Sequence, residues 1–97
     1  YVALIEGDGN LIWENSYDPD DWGEFRGMRE TEGGIVLAGR RISPRSVRHG
    51  WVLKIDDEGD VVWSRYFSEG ISFIFHTISS VPDDGFLLTG TYHDNFL

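Results

Sequence analysis

The sequence predicts an all-β fold, and three observations carry that prediction. Apolar runs of four to eight residues, rich in β-branched and aromatic side chains, are separated by short turns containing Gly and Asp. No stretch long enough for a helix places apolar residues at helical spacing between helix caps. The same runs recur, in the same order, in the two halves of the chain.

A repeat of about 50 residues organises the chain. Residues 1–13 align with residues 51–63 at an offset of 50, and the identical pairs are Val2/Val52, Ile5/Ile55, Gly9/Gly59 and Trp13/Trp63. A second block, Gly34–Gly39, aligns with Gly85–Gly90 after one inserted residue. We therefore divide the chain into a first repeat, 1–50, and a second repeat, 51–97.

Each repeat is predicted to contain four short strands. In the first repeat these are Tyr1–Glu6, Leu11–Tyr17, Phe25–Thr31 and Ile35–Arg41. In the second repeat they are Trp51–Asp56, Val61–Phe67, Ile74–Val81 and Phe86–Tyr92.

Glycine marks the turns between these strands. We expect Gly9 and Gly59 to supply the positive φ that tight hairpin turns require. Gly34 and Gly85 are placed in the turns that join the third and fourth predicted strands of each repeat.

A four-stranded unit of this length is typical of a β-propeller blade. Two four-stranded sheets packed as a sandwich are the alternative. A Trp recurs four residues after each turn glycine, at Trp13 and Trp63. On an outermost strand, such a ring is expected to wedge between blades with its N–H bonded to a turn carbonyl. Tyr1 and Trp51, which align with each other, are also assigned to inter-blade docking.

Two segments carry a family resemblance. They are the Leu-x-Gly ending of Gly85–Gly90, and Trp-Val-x-Lys-Ile-Asp-x-x-Gly-x-Val-x-Trp at Trp51–Trp63. Together they resemble a repeat of secreted and cell-surface β-propellers of bacteria and archaea and, more distantly, the tryptophan-docked blades of quinoprotein-like propellers. The resemblance covers both repeats and implies blade architecture and a secreted or surface-exposed parent. The turn Asp56–Gly59 is one residue shorter than the quinoprotein type, so no quinone site is implied.

The strand order of the quinoprotein-like propellers implies that the chain is permuted by half a blade. The Phe25 strand would be innermost and the Trp13 strand outermost, which leaves strand edges unpaired at both hairpins. We expect Phe86–Tyr92 of one chain to pair with Tyr1–Glu6 of the next, closing a ring of about three or four chains head to tail. The expected function is therefore a non-enzymatic, self-assembling structural module. A fragment of a longer propeller, and a surface module that binds a ligand or carbohydrate through Trp22 and Phe73, are the alternatives.

The net charge of the chain limits the kinds of molecule that it is expected to bind. Seventeen acidic residues against eight basic ones give a net charge of −9, which argues against a nucleic-acid partner. No apolar run approaches the ~20 residues of a membrane span, so no membrane insertion is expected. The absence of Cys excludes thiolate metal ligands and a cysteine nucleophile. Most of the acidic residues are Asp, and only one of the basic residues is Lys. This composition is typical of proteins from salt-loving organisms, but it also fits an ordinary acidic surface.

Candidate site residues fall into two groups. The candidate ligands of a loop rim are Asp18, Asp20, Asp21, Trp22, Arg45 and Arg48. Carboxylates suit Ca²⁺ and arginines suit anions, but a solvated turn and ion pairs within the rim are the favoured interpretation. The candidates for a central channel are Arg26, Arg29 and His76. No Ser-His-Asp order, phosphate loop or paired carboxylates are recognisable, so we expect no enzyme, metal or cofactor.

Overall fold

The computed structural model describes residues 1–17, 22–42, 48–67 and 71–94, and they form eight antiparallel strands. The strands are β1 (Val2–Ile5), β2 (Leu11–Asn15), β3 (Trp22–Thr31), β4 (Gly34–Ile42), β5 (Arg48–Ile55), β6 (Val61–Phe67), β7 (Ile71–Val81) and β8 (Gly85–Asp94). The all-β prediction is therefore confirmed for this part of the chain. It contains no helix that is long and apolar enough to span a membrane.

The strands form three open sheets stacked face to face. Strands β3, β4, β5 and β6 form a central meander, while β1–β2 and β7–β8 are separate hairpins. The N-terminal hairpin packs on one face of the central sheet and the C-terminal hairpin on the other. The repeat boundary at residue 50 falls inside β5, so the central sheet combines the second half of one repeat with the first half of the next.

Strand alternation divides the core into two layers, because successive side chains of a strand point to opposite faces. Val36, Ala38 and Val52 point to the C-terminal hairpin, where they meet Ile78. On the opposite face, Leu53 and neighbouring buried residues pack against the N-terminal hairpin. One hairpin thus packs on each face of the central sheet and covers the buried residues of β4 and β5.

The two repeats share a backbone irregularity that explains a pair of glycines. A register shift occurs between Phe25 and Gly27 in the first repeat, and between Phe75 and Thr77 in the second. Gly39 and Gly90 lie next to these shifts. A Cβ atom at either position would collide with a carbonyl oxygen, that of Glu24 or of Ile74. The Leu-x-Gly ending of both blocks therefore follows from the close approach of a neighbouring strand.

The β1–β2 and β5–β6 turns have the same geometry. In the first, Glu6 N–H donates to Asn10 O at 2.8 Å and Gly9 N–H donates to Glu6 O at 2.9 Å. The second repeats both bonds between Asp56, Gly59 and Asp60, at 2.9 and 3.1 Å. Gly9 and Gly59 have φ values of 95° and 86°, in the left-handed region that favours glycine.

The β3–β4 and β7–β8 turns reach left-handed conformations with different residues. In the first, Gly33 has a φ of 82°. In the second, the positive φ values fall on Asp83 and Asp84, at 66° and 61°, rather than on Gly85. Asp tolerates this region because its short side chain bonds to nearby backbone.

Candidate functional site

Three side-chain hydrogen bonds connect β2 and the residues just after it to the β5–β6 turn of another sheet. Trp13 Nε1 donates to Asp57 O at 3.1 Å. Two further donors converge on Gly59 O: Asn15 Nδ2 at 3.2 Å and Tyr17 OH at 2.6 Å. A Cβ atom on Gly59 would lie 3.0 Å from the Trp13 ring, so the turn and the ring are closely fitted. We call this contact, formed by Trp13, Asn15, Tyr17, Asp57 and Gly59, the docking contact.

Trp51 lies in the apolar layer of the same sheet contact. Its side chain is buried, and its indole N–H donates to Ser64 Oγ at 2.9 Å. The ring packs 4.7 Å from the Phe25 ring and 6.1 Å from the Tyr66 ring, measured between centroids. Trp51 therefore anchors the face of the central sheet that receives the N-terminal hairpin.

Tyr1, the aligned counterpart of Trp51, lies outside this contact. Tyr1 is 70% exposed, whereas Trp51 is 2% exposed. The Tyr1 hydroxyl donates to the Glu14 carboxylate, and this bond raises the pKa of the phenol above its ordinary value.

Trp63 occupies the place of Trp13 on the other side of the molecule. The ring is half-buried and packs against the layer of Val36, Val52 and Ile78. The Arg65 guanidinium carbon lies 5.9 Å from the ring centroid. A cleft of about 470 Å³ opens beside the ring, and we call it the Trp63 cleft; it is bordered by Glu32, Lys54, Trp63, Asp84 and Phe86, among others.

The outer faces of the two hairpins expose residues whose aligned counterparts are buried. Ile5 is 58% exposed, while Ile55 is fully buried at 0%. In the C-terminal hairpin, Leu87 is exposed while its counterpart Val36 is fully buried. These hairpin faces therefore have the residue types of an inter-sheet contact without a neighbouring sheet in the described part of the chain.

Most of the predicted rim residues fall outside the described part of the chain. This applies to Asp18, Asp20, Asp21 and Arg45, and to the side chains of Trp22 and Phe73. Trp22 begins β3, and the exposed Arg48 begins β5. Within the described residues, no group of three or more His, Asp or Glu side chains is arranged to hold a metal ion.

A charged cluster lies near this rim, where ion pairs are expected from the sequence, although the sequence does not identify the particular partners. Arg40 Nε lies 2.7 Å from Glu24 Oε1, and Arg26 Nη2 lies 3.3 Å from the same oxygen. Glu24 and Arg40 are direct partners in the β3–β4 register, so only the pairing of these strands identifies them. Nearby, the Arg41 guanidinium carbon lies 4.8 Å from the centroid of the Tyr66 ring.

The three predicted channel residues each have a defined partner. Arg26 pairs with Glu24, as above. Arg29 Nε donates to Ile78 O at 2.9 Å and so links β3 to β7. His76 Nε2 lies 3.0 Å from Thr91 Oγ1, in a bond within the C-terminal hairpin. Arg29 in particular holds two sheets together, which is a structural role.

Comparisons of this chain with models of protein families, with curated proteins and with solved structures give no match. The function must therefore be inferred from the geometry of the chain itself. Its most informative features are the docking contact, the Trp63 cleft and the two exposed hairpin faces.

Proposed function

We propose that the chain is a non-enzymatic structural module of β-propeller blades that assembles with copies of itself. The observation that carries the proposal is the contrast between Ile5, which is 58% exposed, and its repeat counterpart Ile55, which is fully buried against a neighbouring sheet. A second copy of the chain offers the same kind of neighbouring sheet to Ile5.

The sheet arrangement supports the propeller interpretation. The central sheet is a simple meander in the order β3-β4-β5-β6, and the hairpins stack on its two faces. A Trp ring on the strand that would be outermost is bonded to a turn of the adjacent sheet. Stacked four-stranded meanders are the building plan of propellers.

The energetics favour association. Burying a large apolar side chain contributes roughly 1.5–3 kcal/mol. Tyr1, Ile5 and Leu87 are all exposed on hairpin faces in the single chain. Covering several such side chains is comparable with the ~5–15 kcal/mol that stabilises a typical domain.

The contact between copies would be head to tail, because the N-terminal and C-terminal hairpins present different surfaces. Such heterologous contacts close into a ring when the rotation between copies divides a full circle. The described part of each chain has a four-stranded sheet and two hairpins, so each copy would supply two blades. A ring of about three or four copies then has a blade number within the usual range.

A pair of matched variants tests this function. Ile5→Asp places a charge where burial against a second copy is expected, and it should reduce the mass in solution to that of the single chain. Leu11→Asp is the control, because Leu11 is 54% exposed and its counterpart Val61 stays 53% exposed although a hairpin packs on each face of the central sheet. Leu11→Asp should leave the mass unchanged. An equal effect of both variants, or of neither, would contradict the proposal.

A further inference from the structure

The repeat relates the Trp63 cleft to the docking contact, in which a turn is already seen bonded to the equivalent tryptophan. At the docking contact, the position equivalent to Trp63 is Trp13, and its indole N–H bonds to the β5–β6 turn. Subtracting the repeat offset of 50 from Asp56–Asp60 gives Glu6–Asn10, the β1–β2 turn. The chain therefore contains both the cleft and a turn of the type that would fill it.

The β1–β2 turn has the shape of the docked turn, and its residues are exposed. Its two backbone hydrogen bonds and the φ of Gly9 match those of the docked turn. No atom of the described residues lies within 4 Å of the position that a Cβ atom on Gly9 would take, whereas the same position on Gly59 lies 3.0 Å from the Trp13 ring. Gly9 thus retains the space that Gly59 uses to receive a tryptophan.

The chain cannot place its own β1–β2 turn in the Trp63 cleft. The N-terminal hairpin packs on one face of the central sheet, and the Trp63 cleft opens on the opposite face, between that sheet and the C-terminal hairpin. The hairpin cannot occupy both places within one chain, because the central sheet lies between them.

Strand pairing fixes how the second copy would lie. In the central sheet, Ala38 of β4 is opposite Val52 of β5. The repeat counterpart of Ala38 is Thr89 in β8, and that of Val52 is Val2 in β1. Within the described residues, β8 pairs with β7 alone, and β1 with β2 alone. Each of these strands thus has a free edge for pairing.

We propose that the Trp63 cleft receives the β1–β2 turn of a second copy, with Val2 of that copy opposite Thr89 and the Trp63 indole N–H donating to Gly7 O. The inference rests on the self-assembly proposed above and specifies its site and register. Arg65 takes the place that Asn15 has in the docking contact, so a charged donor approaches Gly9 O. Leu88 then lies opposite Ala3 of the second copy.

Disulfide trapping tests the register directly, because the chain has no Cys of its own. The double variant Val2→Cys/Thr89→Cys changes two side chains that are close to Cys in size. The two sites lie on opposite sides of the central sheet, so any disulfide between them must join two copies. Mild oxidation should convert most of the protein into covalent multimers, since directly opposite positions meet the spacing that a disulfide requires.

The control moves one cysteine along the same strand. Val2→Cys/Thr91→Cys keeps the chemistry but shifts β8 by two residues, and it should give several-fold less multimer, as should each single variant. If both double variants cross-link equally, or neither does, while the untreated protein has a multimeric mass, the register is wrong and self-assembly stands. A mass of one chain under all conditions overturns both proposals.

A second pair of variants tests the cleft. Trp63→Phe removes only the indole N–H and a part of the ring, and it should raise the dissociation constant between copies by about fivefold to tenfold. Trp13→Phe makes the same change at the internal contact and should act on the stability of the single chain instead. If Trp63→Phe leaves association unchanged, the turn does not dock at Trp63.

Discussion

The indole N–H of Trp13 lies 3.1 Å from the carbonyl oxygen of Asp57, a residue 44 positions further along the chain. The bond joins the N-terminal hairpin to the turn of a different sheet. The same turn also accepts hydrogen bonds from Asn15 and Tyr17 through Gly59 O. Three side-chain donors, on β2 and just after it, thus connect the N-terminal hairpin to the central sheet.

Removing the Trp13 donor should destabilise the chain. We expect Trp13→Phe to lower the free energy of unfolding by about 1 kcal/mol, because one hydrogen bond is lost while most of the apolar contact remains. Chemical denaturation of dilute protein measures the change. Trp63→Phe under the same dilute conditions should change this free energy by less than about 0.5 kcal/mol. Equal losses for the two variants would contradict the assignment of the docking contact.

Gly39 and Gly90 should be intolerant of any side chain. A Cβ atom at either position would collide with backbone of the neighbouring strand, so Gly39→Ala and Gly90→Ala should each cost about 3 kcal/mol. Gly7→Ala is the matched control, because its Cβ position has no atom of the described part of the chain within 4 Å. It should change stability by less than about 1 kcal/mol. Thermal unfolding of the three variants checks the difference, and comparable melting temperatures would contradict it.

Alanine substitutions at Gly9 and Gly59 distinguish the cost of backbone strain from the cost of a steric clash. Alanine at either position must adopt a left-handed φ, at a cost of about 1–2 kcal/mol. Gly59→Ala should cost about 1 kcal/mol more, since its Cβ would also press on Trp13 and on Asn15 Nδ2, 2.9 Å away. Denaturation of both variants as dilute protein measures the difference. A larger cost for Gly9→Ala would be inconsistent with the docked geometry of the β5–β6 turn.

The repeat made much of the fold predictable. Aligning Trp13 with Trp63, and Gly9 with Gly59, located the hairpin turns and a tryptophan on the second strand of each hairpin. The fold class followed from short apolar runs, whose preference for strands is local. The predicted strand bounds differ from the observed ones by a few residues, as in β3, which begins at Trp22 instead of Phe25.

The partners in the ion pairs and the residues with positive φ could not be predicted in the same way. Glu24 and Arg40 meet only because of the β3–β4 register, which depends on an irregularity after Phe25. In the β7–β8 turn, Asp83 and Asp84 adopt the left-handed conformation that a glycine often adopts. Since Gly, Asp and Asn are all common in turns, the sequence does not show which residue takes the positive φ. Long-range geometry of this kind depends on tertiary context rather than on local propensity.

Salt should strengthen the association between copies. Each chain has a net charge of −9, and both the β1–β2 turn and the Trp63 cleft carry carboxylates, including Glu6, Asp8, Glu32 and Asp84. Raising the ionic strength from about 0.1 M to about 1 M shortens the screening length from about 10 Å to about 3 Å and weakens this repulsion. Sedimentation velocity should show a larger multimeric fraction at the higher salt. A shift toward the single chain would indicate that attractive ion pairs dominate the contact instead.

The mass of the unaltered chain in solution tests the central proposal most directly. Light scattering or native mass spectrometry across a range of concentrations should give a closed assembly of about three or four copies of the 11.1 kDa chain. Its mass should reach a plateau, because a ring has no free ends at which to grow. A mass of 11.1 kDa that persists to about millimolar concentration would contradict self-assembly, since contacts of useful strength are populated well below that range.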